Sequence, residues 1–113
     1  MDFSKIKLDK FKTYNGINMP KEFHPPLQYA EHPDVYFVFC ESFEQVNRFG
    51  NQVMNLTLPK ENRVFFVYPK GNKDFHRDHV YAYLLNHPMY IRKAPLLSSL
   101  GDVYSCFSMM LVK

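Results

Sequence analysis

Val35-Tyr36-Phe37-Val38-Phe39-Cys40 and Val64-Phe65-Phe66-Val67-Tyr68 decide how this chain folds. Both runs are β-branched and aromatic, and both are continuously apolar rather than alternating. Unbroken hydrophobicity over five or six residues marks a strand covered on both faces, the habit of parallel strands in α/β domains. A parallel pair needs a crossover, usually a helix, and the intervening residues supply one. Ser42 is a suitable N-cap, with Gln45 three positions on to complete a capping box. Phe43, Val46, Gly50, Val53 and Met54 follow at helical spacing and predict an apolar face lying on the sheet. Gly50 lowers helix propensity by about 1 kcal/mol relative to Ala, and a helix–sheet contact with no room for a side chain would account for it. Pro59 and Lys60-Glu61-Asn62 return the chain to the second strand.

Downstream, residues 75–86 predict a second helix, capped by Asp74 and carrying Asp78 in its first turn, where negative charge is favoured. Val80, Tyr83, Leu84 and His87 form its apolar stripe, and Pro88 ends it. Residues 91–97, a weaker strand interrupted by Pro95, suit an edge position or a bulge. Residues 98–102 form a turn, and residues 103–112, rich in Tyr, Phe and Met, form a last strand. So short a turn makes these two strands antiparallel. The final strand is more apolar than a solvent-facing strand requires, so it is either central to the sheet or the contact of a homodimer. Upstream, residues 11–17 read as a strand ending near Gly16, and residues 19–23 as a turn opening a short helix before His24-Pro25-Pro26. No repeat or low-complexity segment interrupts the chain.

Length and composition agree with one α/β domain spanning residues 1–113. A domain of about 100–150 residues is typical and buries a core without staples. The 11 Phe and 8 Tyr, with no Trp, predict a core filled with flat rings. The 14 basic and 11 acidic residues leave a formal charge of +3 with the signs interleaved, so nucleic acid is not the expected partner. Lys5, Lys7, Lys10 and Lys12, among Ile6, Leu8 and Phe11, predict a solvated face or a lysine-guarded edge. Cys40 and Cys106 lie inside apolar runs and predict buried free thiols in a reducing compartment. With no apolar leader after Met1 and no run approaching the ~20 residues of a membrane span, a cytoplasmic protein is expected. Asn55-Leu56-Thr57 matches a glycosylation sequon that an unexported chain would not use.

The chemistry-bearing residues concentrate after the second buried strand, in Pro69-Lys70-Gly71-Asn72-Lys73-Asp74-Phe75-His76-Arg77-Asp78. Ligands of open α/β sheets gather at the carboxyl ends of parallel strands, which is where this segment emerges. Lys70, Lys73 and Arg77 would supply charge to an anion, while Gly71, Asn72 and the amides of a helix N-terminus would supply hydrogen bonds. In the plainer alternative, Gly71 only permits a positive φ and the charges keep a loop soluble. Asp74, His76, Asp78 and His79 do not make a metal set, having neither Cys nor a His-x-x-x-His pair. His24, His32 and His87 adjoin prolines and read as loop punctuation. No serine sits in a Gly-x-Ser-x-Gly turn, and no Gly-x-Gly-x-x-Gly or Walker loop occurs among 4 glycines. Neither a catalytic set nor a cofactor is therefore expected. An acid–base role for His76 or Asp78 beside Ser105 would require those side chains to converge.

Phe37-Val38-Phe39-Cys40-Glu41-Ser42-Phe43-Glu44, Tyr68-Pro69-Lys70-Gly71, Arg77-Asp78 and Tyr104-Ser105-Cys106-Phe107 together resemble the landmarks of the bacterial domain of unknown function 3052 family. The resemblance spans residues 19–109, and the Tyr-Pro-Lys-Gly corner is its most specific part. The last landmark departs: the family typically carries Trp-Ser-Ala-Leu there. The resemblance implies a small Rossmann-like sheet like the C-terminal half of a methyltransferase, with about five strands, mostly parallel, a terminal antiparallel hairpin and helices on its faces. It implies no established activity. It lacks the Gly-rich loop that holds a methyl donor, so the expectation is a non-catalytic module that binds a protein partner or small anionic ligand at residues 70–78. A small or degenerate methyltransferase-like enzyme using the same edge is the alternative.

Overall fold

A computed structural model of the chain describes residues 2–71, 77–86 and 96–111. In chain order its elements are β1 (Thr13–Ile17), β2 (Gln28–Tyr29), β3 (Val35–Phe39), α1 (Phe43–Met54), β4 (Arg63–Pro69), α2 (Arg77–Leu85), β5 (Leu96–Ser99) and β6 (Tyr104–Met109). The strands form one mixed sheet in the order β2-β1-β3-β4-β6-β5. β3 and β4 are parallel, with Phe37 opposite Phe65 and Phe39 opposite Val67. β1 runs parallel to both β2 and β3. The last strand inserts between β4 and β5 and is antiparallel to both.

That insertion makes the apolar C-terminal run central to the sheet. β6 is flanked on both edges and its residues 106–109 are core. Side chains alternate across the sheet as strand geometry requires. Val38, Cys40, Val64, Phe66, Tyr68, Phe107 and Met109 face one side, where Val46, Phe49, Val53 and Met54 of α1 and Val80 and Tyr83 of α2 close over them. Val35, Phe37, Phe39, Phe65, Val67 and Cys106 face the other.

Among the described residues both helices thus cover one face, whereas helices on both were expected. The opposite face is sealed by an irregular arm whose Ile6, Leu8, Phe11 and Phe23 point into the core. Lys5, Lys7, Lys10 and Lys12 alternate outward from it and are exposed. Pro20, Pro25 and Pro26 explain why this crossover is not helical, since proline removes a donor and blocks the preceding turn. Residues 19–23 form only a turn, closed by the Phe23 amide donating to the Pro20 carbonyl at 3.1 Å. Phe23 packs edge-on against Phe37 and Phe39, with ring centroids 4.8 and 4.9 Å away. Aromatic side chains do here what a second helix layer does elsewhere.

Among the described residues the sheet has six strands where about five were expected; β2 has only two residues, both exposed, and so no apolar signature. Ser98 and Ser99 belong to β5, which shortens the turn before β6. The expected cap Asp74, together with Phe75, His87, Pro88 and residues 91–95, lies outside the described residues. α1 begins as predicted: the Gln45 amide donates to the Ser42 hydroxyl at 3.2 Å, and the Glu41 amide donates to the Gln45 side-chain oxygen at 2.7 Å. Two details of α1 differ from expectation. Phe43 is 54% exposed at the first turn. Gly50 meets a neighbouring helix rather than the sheet: a Cβ there would lie 2.5 Å from Cζ of Tyr83. Near the chain end, the buried Asn62 amide donates to the Pro59 and Leu111 carbonyls and accepts from the Leu111 amide, tying the last described residues to the start of β4.

Candidate functional site

The carboxyl ends of β1, β3, β4 and β5 lie along one edge of the sheet, joined there by the turn that opens β6. Crossover direction along this edge changes once. The chain passes from β1 outward to β2, then returns across β1 to β3 and continues to β4. In open α/β sheets the crevice forms where that direction reverses, here between the ends of β1 and β3. This is one strand away from the segment that the sequence singled out. Asn18 occupies the crevice with φ of 60°, and its Nδ2 donates to the Phe39 carbonyl at 3.2 Å, clasping the two strand ends. Asparagine is among the few residues that adopt this left-handed conformation readily.

Next along the edge is the corner after β4. Lys70 is exposed, but its ammonium is held: Nζ donates to the Ser99 hydroxyl at 2.7 Å and to the Gly101 carbonyl at 2.6 Å. Its amide donates to the Val103 carbonyl at 2.8 Å. Lysine at this position therefore latches the corner to the β5–β6 turn. Gly71 has φ of 74°, with open space where a side chain would be, so its glycine character serves the turn. Asp78 is exposed in the first turn of α2, and Arg77 opens that helix. Ser105 is half-buried in β6, between Tyr68 and Ser99, on the helix-covered face. Asn72, Lys73 and His76 lie outside the described residues, as does the convergence of His76 with Ser105.

Reactive groups near the edge are sequestered. Cys40 and Cys106 are free and buried on opposite faces of the sheet, which prevents their pairing. Burial pushes each thiol up to about 12, so neither is a thiolate nucleophile at neutral pH. Tyr83 is likewise raised to about 12, by burial and then by neighbouring Cys40, and its hydroxyl donates to Asn51 Oδ1 at 2.9 Å. Among the described residues no group of three or more His, Cys, Asp or Glu side chains is arranged to hold a metal ion. No described helix is long and apolar enough to cross a membrane.

The edge instead presents apolar and acidic side chains. Phe43 lies at the start of α1, its ring 3.9 Å from that of His79 on α2. Val103, in the β5–β6 turn, is 62% exposed. Glu22 and Asp102 border an open recess together with Leu100, Val103 and Tyr104. Sequence reasoning missed Asn18, Glu22, Asp102 and Tyr104 as edge residues. Asn18 alone carried a local signal, as a left-handed-tolerant residue at a strand end.

Comparison with family models, curated proteins and solved structures finds no match to this chain. The resemblance to the 3052 family therefore stands on the quoted residues alone.

Proposed function

We propose that this chain is a cytoplasmic, non-catalytic module that binds a protein partner through the carboxyl-end edge, from the start of α1 across the corner at residues 69–71 to the β5–β6 turn. What carries this reading is the use already made of the groups that would do chemistry there. Lys70 is latched to Ser99 and Gly101, Ser42 and Gln45 cap a helix, and both thiols are buried. Exposed apolar surface on the edge includes Val103 and the outer side of the Phe43 ring, which packs on His79. A small anion at this corner would have to draw Lys70 away from two oxygen acceptors, which favours the partner over the anion.

The reading is tested with the chain as bait in extract from its own cells. Wild type is compared with the variant Val103→Glu, a substitution at a side chain that is 62% exposed. Proteins retained by the wild type should be lost with the variant while the melting temperature of the bait is unchanged. Identical captured sets would overturn the reading.

One observation favours the degenerate-enzyme alternative. A final strand inserted antiparallel between β4 and β5 is the arrangement implied by a methyltransferase-like, Rossmann-like half-sheet. Sheet order is a property of fold rather than of activity. Thermal stabilisation of the chain by a sulfonium methyl donor would support this alternative over the binding module.

A further inference from the structure

On the arm-covered face of the same edge, an open recess of about 330 Å³ is lined by Glu22, Leu100, Asp102, Val103 and Tyr104. Its two carboxylates come from opposite ends of the chain. Glu22 is carried by the proline-closed turn after β1, and Asp102 by the turn between β5 and β6. Leu100 is almost fully buried and supplies an apolar floor. Tyr104 supplies a wall, its ring held perpendicular to that of Phe39 at 5.5 Å. Neither carboxylate makes an ion pair or hydrogen bond to another residue among those described. Lys70, which reaches the same β5–β6 turn, is committed to Ser99 and Gly101.

We propose that this recess binds an ammonium or guanidinium group carried on a short alkyl stem. Glu22 and Asp102 take the charge, while Leu100, Val103 and the Tyr104 ring take the stem and add cation–π attraction. The assignment rests on the reading of this edge as a binding surface and names the chemistry of what it binds. It also reverses the sign of charge expected from the sequence, because the visible lysine is used internally and the acids are not. A volume of about 330 Å³ lies at the small end of ligand pockets, with room for one side-chain-sized group. A hard metal ion is a poorer fit, since calcium takes about six to eight oxygen ligands and magnesium six. A free amine and a partner's Lys or Arg share this chemistry.

The test is titration of the intact ¹⁵N-labelled chain at low ionic strength with n-butylammonium, n-butanol and n-butyrate. Butylammonium should shift the amides of Glu22 and of residues 100–104, and neither the neutral nor the anionic isostere should do so. Glu22→Gln and Asp102→Asn, both at exposed positions, should each weaken binding by about three- to fivefold with the melting temperature unchanged. Equal shifts from butanol, or unchanged binding by both variants, would overturn the proposal. A blocked Gly-Lys-Gly peptide that binds more tightly than butylammonium, and loses binding on Nε-acetylation, assigns the cation to a partner protein. Equal affinity assigns it to a free amine. If the bait comparison fails while this titration succeeds, the recess is a small-molecule site and the partner reading alone falls.

Discussion

Lys70 donates from its ammonium to the Ser99 hydroxyl at 2.7 Å, and both groups share the Gly101 carbonyl as acceptor, at 2.6 and 3.0 Å. The corner after the most buried strand is thereby fastened to the turn that opens the last strand. Lys70→Met, which keeps the stem and removes the donors, should destabilise the chain by about 1 kcal/mol, since the bonds are charge-assisted but solvent-exposed. The expected fall in melting temperature is about 4–6 °C. An unchanged melting temperature would leave Lys70 available to an external anion.

Gly50 lies under the ring of Tyr83, with Cζ 2.5 Å from where a Cβ would be. Gly50→Ala should therefore destabilise the fold despite the roughly 1 kcal/mol gained in helix propensity. Overpacking of about 1–3 kcal/mol outweighs that gain, giving a lower urea midpoint. A raised midpoint would mean that α1 and α2 do not approach this closely.

The two thiols predict alkaline sensitivity. Each has an ordinary value near 9 in the unfolded chain and about 12 when folded. The folded value is the higher one, so this contribution is complete below about pH 9 and is lost as pH rises towards 12. Each pH unit in that window removes up to about 1.4 kcal/mol per thiol. Denaturation midpoints should fall more steeply above pH 9 for wild type than for the Cys40→Ala, Cys106→Ala variant. A disulfide reagent at pH 8 should label neither thiol until the chain is unfolded.

Asn62 is nearly fully buried, and its side chain makes three hydrogen bonds. Asn62→Ala strands the Leu111 backbone groups and should lower stability by about 2–3 kcal/mol. Asn62→Asp, which keeps the shape but loses the donors, should be at least as damaging. A near-neutral effect of both would show that the C-terminal tether does not stabilise the sheet.

Much of the fold is written locally. β3, β4 and the cap of α1 are legible because burial on both faces leaves an unbroken apolar run, and because Ser42 and Gln45 are close in the chain. β2 was not legible, since Gln28 and Tyr29 are exposed and are held in the sheet by pairing with β1 rather than by burial. The arm reads as a solvated lysine face, which it is on one side. Its role as the cover of a sheet face depends on contacts with Phe37 and Phe39, distant in sequence. The site was least legible. The segment at residues 70–78 announced its charge but not the partner of Lys70, and the crevice follows from strand order, which no local pattern encodes. Glu22 and Asp102 line one recess only because the sheet brings distant parts of the chain to one edge.

Hydrogen–deuterium exchange on the chain, free and bound to the partner captured by the wild-type bait, tests the central claim most directly. New protection should concentrate at residues 41–43, 69–71 and 100–104, along the carboxyl-end edge. Protection confined to the lysine-bearing arm at residues 5–12, or to the exposed strand β2, would contradict it.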